Sequence, residues 1–160
     1  MEISFEHFLE KFPIVELPVT VSEDTYNELG AENEPLPALM IEQFLADDDD
    51  DDYTEYIACF RLPKQKGFDA IVFWKAGLLT YEYILTTYTK KGEPIAAEVI
   101  AGSVVQGDLL VQTVATIDKA LQVFMATGAS SAHTEEAIDP SSNKLKQVEI
   151  MDNGQIMESL

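Results

Sequence analysis

Residues 68–104 constrain the fold of this chain more than any other part of the sequence. Apolar residues alternate there with polar ones, β-branched and aromatic residues dominate, and Gly77 and Gly92 interrupt the alternation. A period of two residues places successive side chains on opposite faces of a strand, so this stretch predicts a β-meander. The break at Gly77 predicts a tight turn or bulge, and Lys90-Lys91-Gly92 predicts a hairpin turn.

The alternating pattern extends over most of the chain after residue 53. Asn153-Gly154 between two alternating segments is a strong hairpin signal. Residues 108–125 are ambiguous: we interpret them as one long or broken strand with a kink near Asp118, and a helix is the alternative. Residues 128–143, rich in Ser, Thr and Ala, are predicted to be loop or weak strand. The other predicted strands are 54–62, 68–75, 79–88, 95–104, 145–151 and 155–159.

The first 46 residues have a different character. Phe5, Phe8, Leu9 and Phe12 recur at helical spacing, which predicts an amphipathic helix over residues 4–12, capped by Ser4 and ended by a proline. A second helix is predicted over residues 36–46. Between them, residues 14–21 have extended character, which Pro18 restricts to an edge strand or an ordered connector, and residues 27–37 are predicted to be loop. Both helices are too short to be stable alone, so we expect them to pack on the sheet.

The predicted fold class is therefore α+β: a curved antiparallel meander of about six strands with short N-terminal helices packed on it. We expect one domain over residues 1–160, with a helical portion (1–46), an acidic linker (47–52) and the sheet (53–160). No basic segment followed by an apolar run opens the sequence, and no apolar stretch approaches the length of a membrane span. A cytoplasmic location without membrane contact is the resulting expectation.

The charge is unevenly distributed. The net charge is −19, and residues 1–52 carry sixteen of the 29 acids but only one base, Lys11. Such a chain disfavours binding to a nucleic-acid backbone and favours a basic protein partner, although acidity can also serve solubility alone. Residues 47–52 are six consecutive aspartates that would attract cations weakly, yet they lack the spacing of a calcium-binding loop.

The sequence contains no recognised catalytic or cofactor-binding motif. Phosphate-binding glycine loops and a nucleophile elbow are absent, and one cysteine with two separated histidines does not form a usual zinc site. Cys59 lies in an apolar run and is interpreted as a small core residue. His7 is expected on a helix surface. A Ser130- or Ser131-His133-acid triad has no support beyond composition. No catalytic, cofactor-binding or metal-ligating residue is predicted.

The aromatic residues concentrate in the first predicted strands. Alternation places Phe68, Val72 and Trp74 on one face and Ile71 and Phe73 on the other, so both faces are partly apolar. A sheet with two apolar faces needs cover on both sides. Core packing explains such a pattern, and a ligand groove or a protein interface is the alternative. The residues that we expect on such an interaction surface are Trp74, Tyr81, Tyr83 and Tyr88.

Three short motifs carry a resemblance to other proteins. They are Phe-Pro-x-x-Glu-Leu-Pro from Phe12, Tyr-x-Leu-x-x-Tyr-x-x-x-Gly from Tyr83 and Gly-x-Ile from Gly154. With this succession the chain resembles uncharacterised proteins of Bacteroidetes bacteria. The resemblance implies a small sheet-rich domain of unknown function and assigns no site residues.

Three function classes follow. The first is a non-catalytic protein-binding module, immunity- or inhibitor-like, that neutralises a basic partner. The second is a small-ligand-binding protein that uses the aromatic sheet face. The third is an enzyme with an unrecognised site. Homo-oligomerisation is compatible with all three.

Overall fold

The computed structural model describes residues 3–46, 50, 53–131 and 144–159. Within these residues the chain is mostly one antiparallel sheet with a few short helices. The predicted α+β class is thereby confirmed. The predicted number of strands, about six, is wrong, because the described sheet contains nine.

The helical elements all precede the main part of the sheet. They are α1 (Phe5–Glu10), a π-helical turn (Tyr26–Gly30) and α2 (Ala38–Met40), which continues as a second π-helical turn (Ile41–Leu45). The strands are β1 (Val19–Val21), β2 (Glu55–Arg61), β3 (Asp69–Ala76), β4 (Thr80–Tyr88), β5 (Pro94–Gln106), β6 (Leu109–Ile117), β7 (Gln122–Ser131), β8 (Lys144–Ile150) and β9 (Ile156–Ser159).

Strands β2 to β9 form a meander in which each strand pairs with the next along the chain. Strand β5 pairs with β4 from Pro94 to Val104, but with β6 only from Gly102 onward. β1 lies beside the other end of β6, where Val21 is opposite Ala115. In the described part of the chain β2 and β9 do not pair with each other, so the sheet is not closed.

The extra strands arise mainly from residues 108–125, which form a hairpin rather than one kinked strand. β6 ends at Ile117 and β7 begins at Gln122. The Asp118 carboxylate accepts hydrogen bonds from the backbone N–H groups of Ala120 and Gln122, both at 2.9 Å, and Leu121 adopts a φ of 62°. Because this turn contains no glycine, the sequence pattern predicted a kinked strand where the chain in fact reverses direction.

Two buried clusters lie on opposite faces of the sheet. Ala70 and Val72 of β3 belong to one cluster, which also includes Val148 of β8, so the sheet folds over far enough for distant strands to meet. Ile71 and Phe73 belong to the other cluster, together with Phe8 of α1. The helices therefore cover the second apolar face of the first strands, as their short length requires.

Two further predictions concern the loop at residues 27–37 and the acidic linker at residues 47–52. The segment predicted to be loop, residues 27–37, begins inside the π-helical turn Tyr26–Gly30, so that prediction is wrong at its start. Of the aspartate run only Asp50 is described, and its carboxylate lies 2.6 Å from the Lys75 ammonium. The remaining aspartates lie outside the described residues, as do residues 132–143 of the predicted loop or weak strand.

Candidate ligand-binding pocket

A pocket of about 340 Å³ opens where the strands β3 to β6 come together at one end of the sheet. The end of β3, the start of β4, residues 102–103 of β5 and the start of β6 each contribute to its wall. The segment that follows β1 supplies Glu23 and Tyr26 from the other side. The pocket is lined by Glu23, Tyr26, Trp74, Tyr81, Tyr83, Gly102, Ser103, Leu110 and Gln112.

The Trp74 ring contacts two other aromatic rings of the pocket wall. The Trp74 ring is nearly parallel to that of Tyr81, with an angle of 7° and 5.6 Å between centroids. The Tyr26 ring lies 4.5 Å from Trp74 at an angle of 32°. Offset contacts of this kind stabilise each ring in place, so the wall is preorganised. Tyr81 is 46% exposed and presents its ring to solvent.

Tyr83 forms the deeper part of the wall and links the sheet to the segment that contains Tyr26. Its side chain is buried, and its hydroxyl accepts a hydrogen bond from the Tyr26 backbone N–H at 2.8 Å. Burial raises the pKa of this hydroxyl above its usual value, and the bond from Tyr26 opposes the rise only partly. Tyr83 therefore stays neutral and acts as a hydrogen-bonding group rather than as a base.

Gly102 shapes the pocket through its backbone. Its φ is +145°, and a Cβ atom there would collide with the Tyr81 carbonyl oxygen. Only glycine tolerates both the conformation and the close approach of the two strands. Gly102 is also the residue at which pairing between β5 and β6 begins. The close approach of β4 and β5 beside the pocket thus depends on the absence of a side chain at Gly102.

The polar rim of the pocket is acidic. The Gln112 side-chain amide donates a hydrogen bond to the Glu23 carboxylate at 2.9 Å, which orients this exposed carboxylate. A smaller adjoining pocket of about 150 Å³ shares Glu23 and adds Asp24 to its wall. Among the described lining residues of both pockets there is no lysine, arginine or histidine. The arrangement combines an aromatic wall with a carboxylate, which suits a cation.

The structure brings together three of the four residues expected on the aromatic surface. Trp74, Tyr81 and Tyr83 share the pocket, whereas Tyr88 is fully buried on the opposite face of the sheet, among the helix phenylalanines. Its hydroxyl donates a hydrogen bond to the Phe44 carbonyl at 2.9 Å. Tyr88 lies apart from the other three because residues 83 and 88 differ by an odd number and so point to opposite faces.

Sequence reasoning missed the contributions of Tyr26 and Glu23. Both lie in the segment between β1 and the sheet, far from the strands in sequence, and no local pattern indicates that they return to Trp74. One tyrosine and one acid between a predicted extended segment and a predicted loop carry no distinctive signal. The pairing of β1 with β6 and the bond from the Tyr26 N–H to Tyr83 bring this segment to the pocket.

Among the described residues, Cys59 and His7 each have a structural role. Cys59 is fully buried, and burial raises the pKa of its thiol to about 12, consistent with a core role. His7 is exposed on α1, and its ring nitrogen lies 2.7 Å from the Ser4 hydroxyl that caps the helix. His133 and the side chain of Ser131 lie outside the described residues.

Two classes of feature are absent from the part of the chain that the structure describes. No three or more histidine, cysteine, aspartate or glutamate side chains come together as metal ligands would. No helix there has the length and apolar character that crossing a bilayer requires.

Comparison with known proteins adds no assignment. No protein-family model, no curated protein and no solved structure matches the chain. The resemblance to uncharacterised proteins of Bacteroidetes bacteria stays a prediction. The case for a function rests on the pocket and on the charge.

Proposed function

We propose that this protein is a non-catalytic binding protein that takes a small ligand with an aromatic ring and a cationic group in the pocket at Trp74. The single observation that carries the proposal is the meeting of Tyr26, Trp74, Tyr81 and Tyr83 with the carboxylate of Glu23 around one cavity. This assigns the function to the aromatic sheet face rather than to a protein partner.

The dimensions of the pocket support a small ligand. A volume of about 340 Å³ falls at the lower end of the range typical of ligand sites, roughly 300–1,000 Å³. Such sites combine a mostly aromatic wall with a few oriented polar groups. Here the oriented groups are the Glu23 carboxylate and the Gln112 side chain that donates to it.

The charge of the chain supports a cationic ligand. The net charge of −19 raises the local concentration of cations near the surface and disfavours anions. Within the pocket, a cation also gains from the faces of the aromatic rings, by about 0.5–2 kcal/mol per favourable contact. An anionic ligand would meet Glu23 without a compensating base among the described lining residues.

A basic protein partner is the second candidate, favoured by the concentration of sixteen acids in residues 1–52. An immunity- or inhibitor-like role would use this acidic third of the chain, and binding would weaken steeply with salt. We also propose the cytoplasm as the location. Both proposals are independent of the pocket.

A thermal-shift series with three related compounds tests the proposal. Phenethylamine is cationic at neutral pH, 2-phenylethanol is its neutral counterpart, and 3-phenylpropanoate is an anion of similar size. We expect a concentration-dependent rise in Tm that is largest for phenethylamine and absent for 3-phenylpropanoate, because only the cation gains from Glu23. Equal shifts for all three compounds, or none, would contradict the proposal.

Matched variants locate the binding site. Tyr81→Ala removes a ring that is 46% exposed in the pocket, and Phe124→Ala removes a ring that is 43% exposed on β7, outside the pocket. We expect the phenethylamine shift to disappear in Tyr81→Ala and to remain in Phe124→Ala. Loss in both variants would indicate a nonspecific effect.

A further inference from the structure

A second pocket, of about 420 Å³, lies between α1 and the sheet, with a character unlike that of the aromatic pocket. The sheet side contributes several bases, although bases are scarce in this chain. Helix α1 contributes two acids one helical turn apart, together with apolar side chains. The charged residues that line it are Glu6, Glu10, Arg61, Lys64, Asp69 and Lys90.

Arg61 is held in place at the end of β2. Its backbone N–H donates to the Pro13 carbonyl at 2.8 Å, and its carbonyl accepts from the Val15 N–H at 3.1 Å. Arg61 is opposite Ile71 of β3, on the face that α1 covers. The guanidinium is therefore directed to the pocket by a fixed backbone.

The Arg61 side chain is not fully paired within the described residues. Its Nε atom is buried without a hydrogen-bond acceptor, and no ion pair to its guanidinium is found in the part of the chain that the structure describes. A partly buried guanidinium without an acceptor is costly, since buried charges are normally paired. A planar oxyanion that accepts two parallel N–H bonds is the partner this group suits best.

The other charged residues of the pocket restrict the net charge of the ligand that carries this oxyanion. Lys90 lies 3.2 Å from Asp69, so these two groups offset each other. Arg61 and Lys64 then remain opposite Glu6 and Glu10. Two bases and two acids in one pocket suit a ligand that carries both signs, and they disfavour a multiply charged anion.

We propose that this pocket binds a zwitterion of the α-amino acid type with an apolar side chain. The ligand carboxylate binds the Arg61 guanidinium, the ammonium group lies toward Glu6 and Glu10, and the side chain contacts Phe5 and Leu9. The proposal rests on residues that the aromatic pocket does not share, so it stands or fails independently of the proposed function.

Amide chemical shifts of the folded protein, measured by NMR, test this with three compounds. L-leucine carries both charges, 4-methylpentanoate lacks the ammonium group, and 3-methylbutylamine lacks the carboxylate. We expect leucine to cause saturable shifts at Glu6, Glu10, Arg61 and Lys90. The two single-charge compounds should bind at least about tenfold more weakly, the loss of one well-placed charged contact.

Substitutions of Arg61 test whether its guanidinium binds the leucine carboxylate. Arg61→Gln should weaken leucine binding at least about tenfold, whereas Lys66→Gln, an exposed change outside the pocket, should leave it unchanged. If Arg61→Gln fails to fold, Arg61→Lys keeps the charge but loses the bidentate geometry, and it should still weaken binding. The absence of saturable shifts with leucine, equal binding of 4-methylpentanoate, or unchanged binding in the folded Arg61 variants would overturn the proposal.

Discussion

The Tyr83 hydroxyl accepts a hydrogen bond from the backbone N–H of Tyr26 at 2.8 Å, across 57 positions of the chain. This bond joins β4 to the start of the π-helical turn Tyr26–Gly30, and Tyr26 in turn contacts Trp74. Tyr83 therefore connects the N-terminal segment to the sheet at the place where the pocket forms. The stability of the fold and the shape of the pocket are coupled through this pair.

Tyr83→Phe should lower the free energy of unfolding by about 1–2 kcal/mol, because the partly buried Tyr26 N–H would lose its acceptor. Urea denaturation followed by circular dichroism measures the change. Tyr81→Phe is the matched control: it changes a tyrosine of the same pocket whose hydroxyl has no hydrogen bond among the described residues. A Tyr83→Phe variant as stable as the control would show that the bond contributes nothing.

Tyr56→Phe should be neutral or stabilising, by up to about 1 kcal/mol, because the buried Tyr56 hydroxyl has no hydrogen-bond partner in the described structure. Tyr88→Phe provides the contrast, since the Tyr88 hydroxyl donates to the Phe44 carbonyl. We expect that variant to lose about 1 kcal/mol. The same denaturation experiment compares both, and the reverse order of stability would contradict the assigned contacts.

Gly102→Ala should destabilise the protein by about 3 kcal/mol or more, since a methyl group would collide with the Tyr81 carbonyl at a strained φ. Gly107→Ala has a positive φ of 61° but no atom within 4 Å of the added Cβ, so only the conformational cost of about 1–2 kcal/mol applies. Thermal unfolding of the two variants measures the difference. Equal losses would mean that the close approach at Gly102 is relieved without cost.

Stability should fall as the pH rises from about 9 toward 12. The Cys59 thiol has an ordinary pKa of 9.0, and burial raises it to about 12 in the folded protein. Between these values the unfolded chain binds fewer protons than the native one, so unfolding becomes easier as the pH rises, by at most about 1.4 kcal/mol per pH unit.

The measurement is urea denaturation at several alkaline pH values, with Cys59→Ala as the comparison. Burial also raises the pKa of Tyr83 and Tyr88, which adds to the decline in both proteins. The difference in slope between them therefore isolates the thiol. Identical slopes would show that Cys59 ionises equally in the folded and unfolded states.

The alternation of residues 68–104 was sufficient to predict the central strands and the residues on each face. Trp74 and Val72 share one face and Ile71 and Phe73 the other, because the side-chain period of a strand is two. Pairs of lysine–glycine and asparagine–glycine also marked their turns correctly: Gly92 and Gly154 both adopt positive φ. These features are local, so the sequence encodes them directly.

The rest depended on contacts between distant residues. The Asp118–Leu121 turn is stabilised by a carboxylate that binds two backbone N–H groups, a signal that periodicity does not carry. The pairing of β1 with β6 spans almost a hundred residues, and it determines that Glu23 and Tyr26 reach Trp74. The sequence therefore predicted Trp74, Tyr81 and Tyr83 as residues of one surface, but not Glu23 and Tyr26.

Trp74 fluorescence is the most direct test of the central claim, because Trp74 is the only tryptophan of the chain and lies in the pocket wall. Titration with phenethylamine should change its emission saturably, 2-phenylethanol should bind more weakly, and 3-phenylpropanoate should have no effect. Glu23→Gln should remove the preference for the cation, whereas Glu32→Gln, an exposed change outside the pocket, should keep it. Emission that does not respond to phenethylamine, or that responds equally to all three compounds, would contradict a cation-binding aromatic pocket at Trp74.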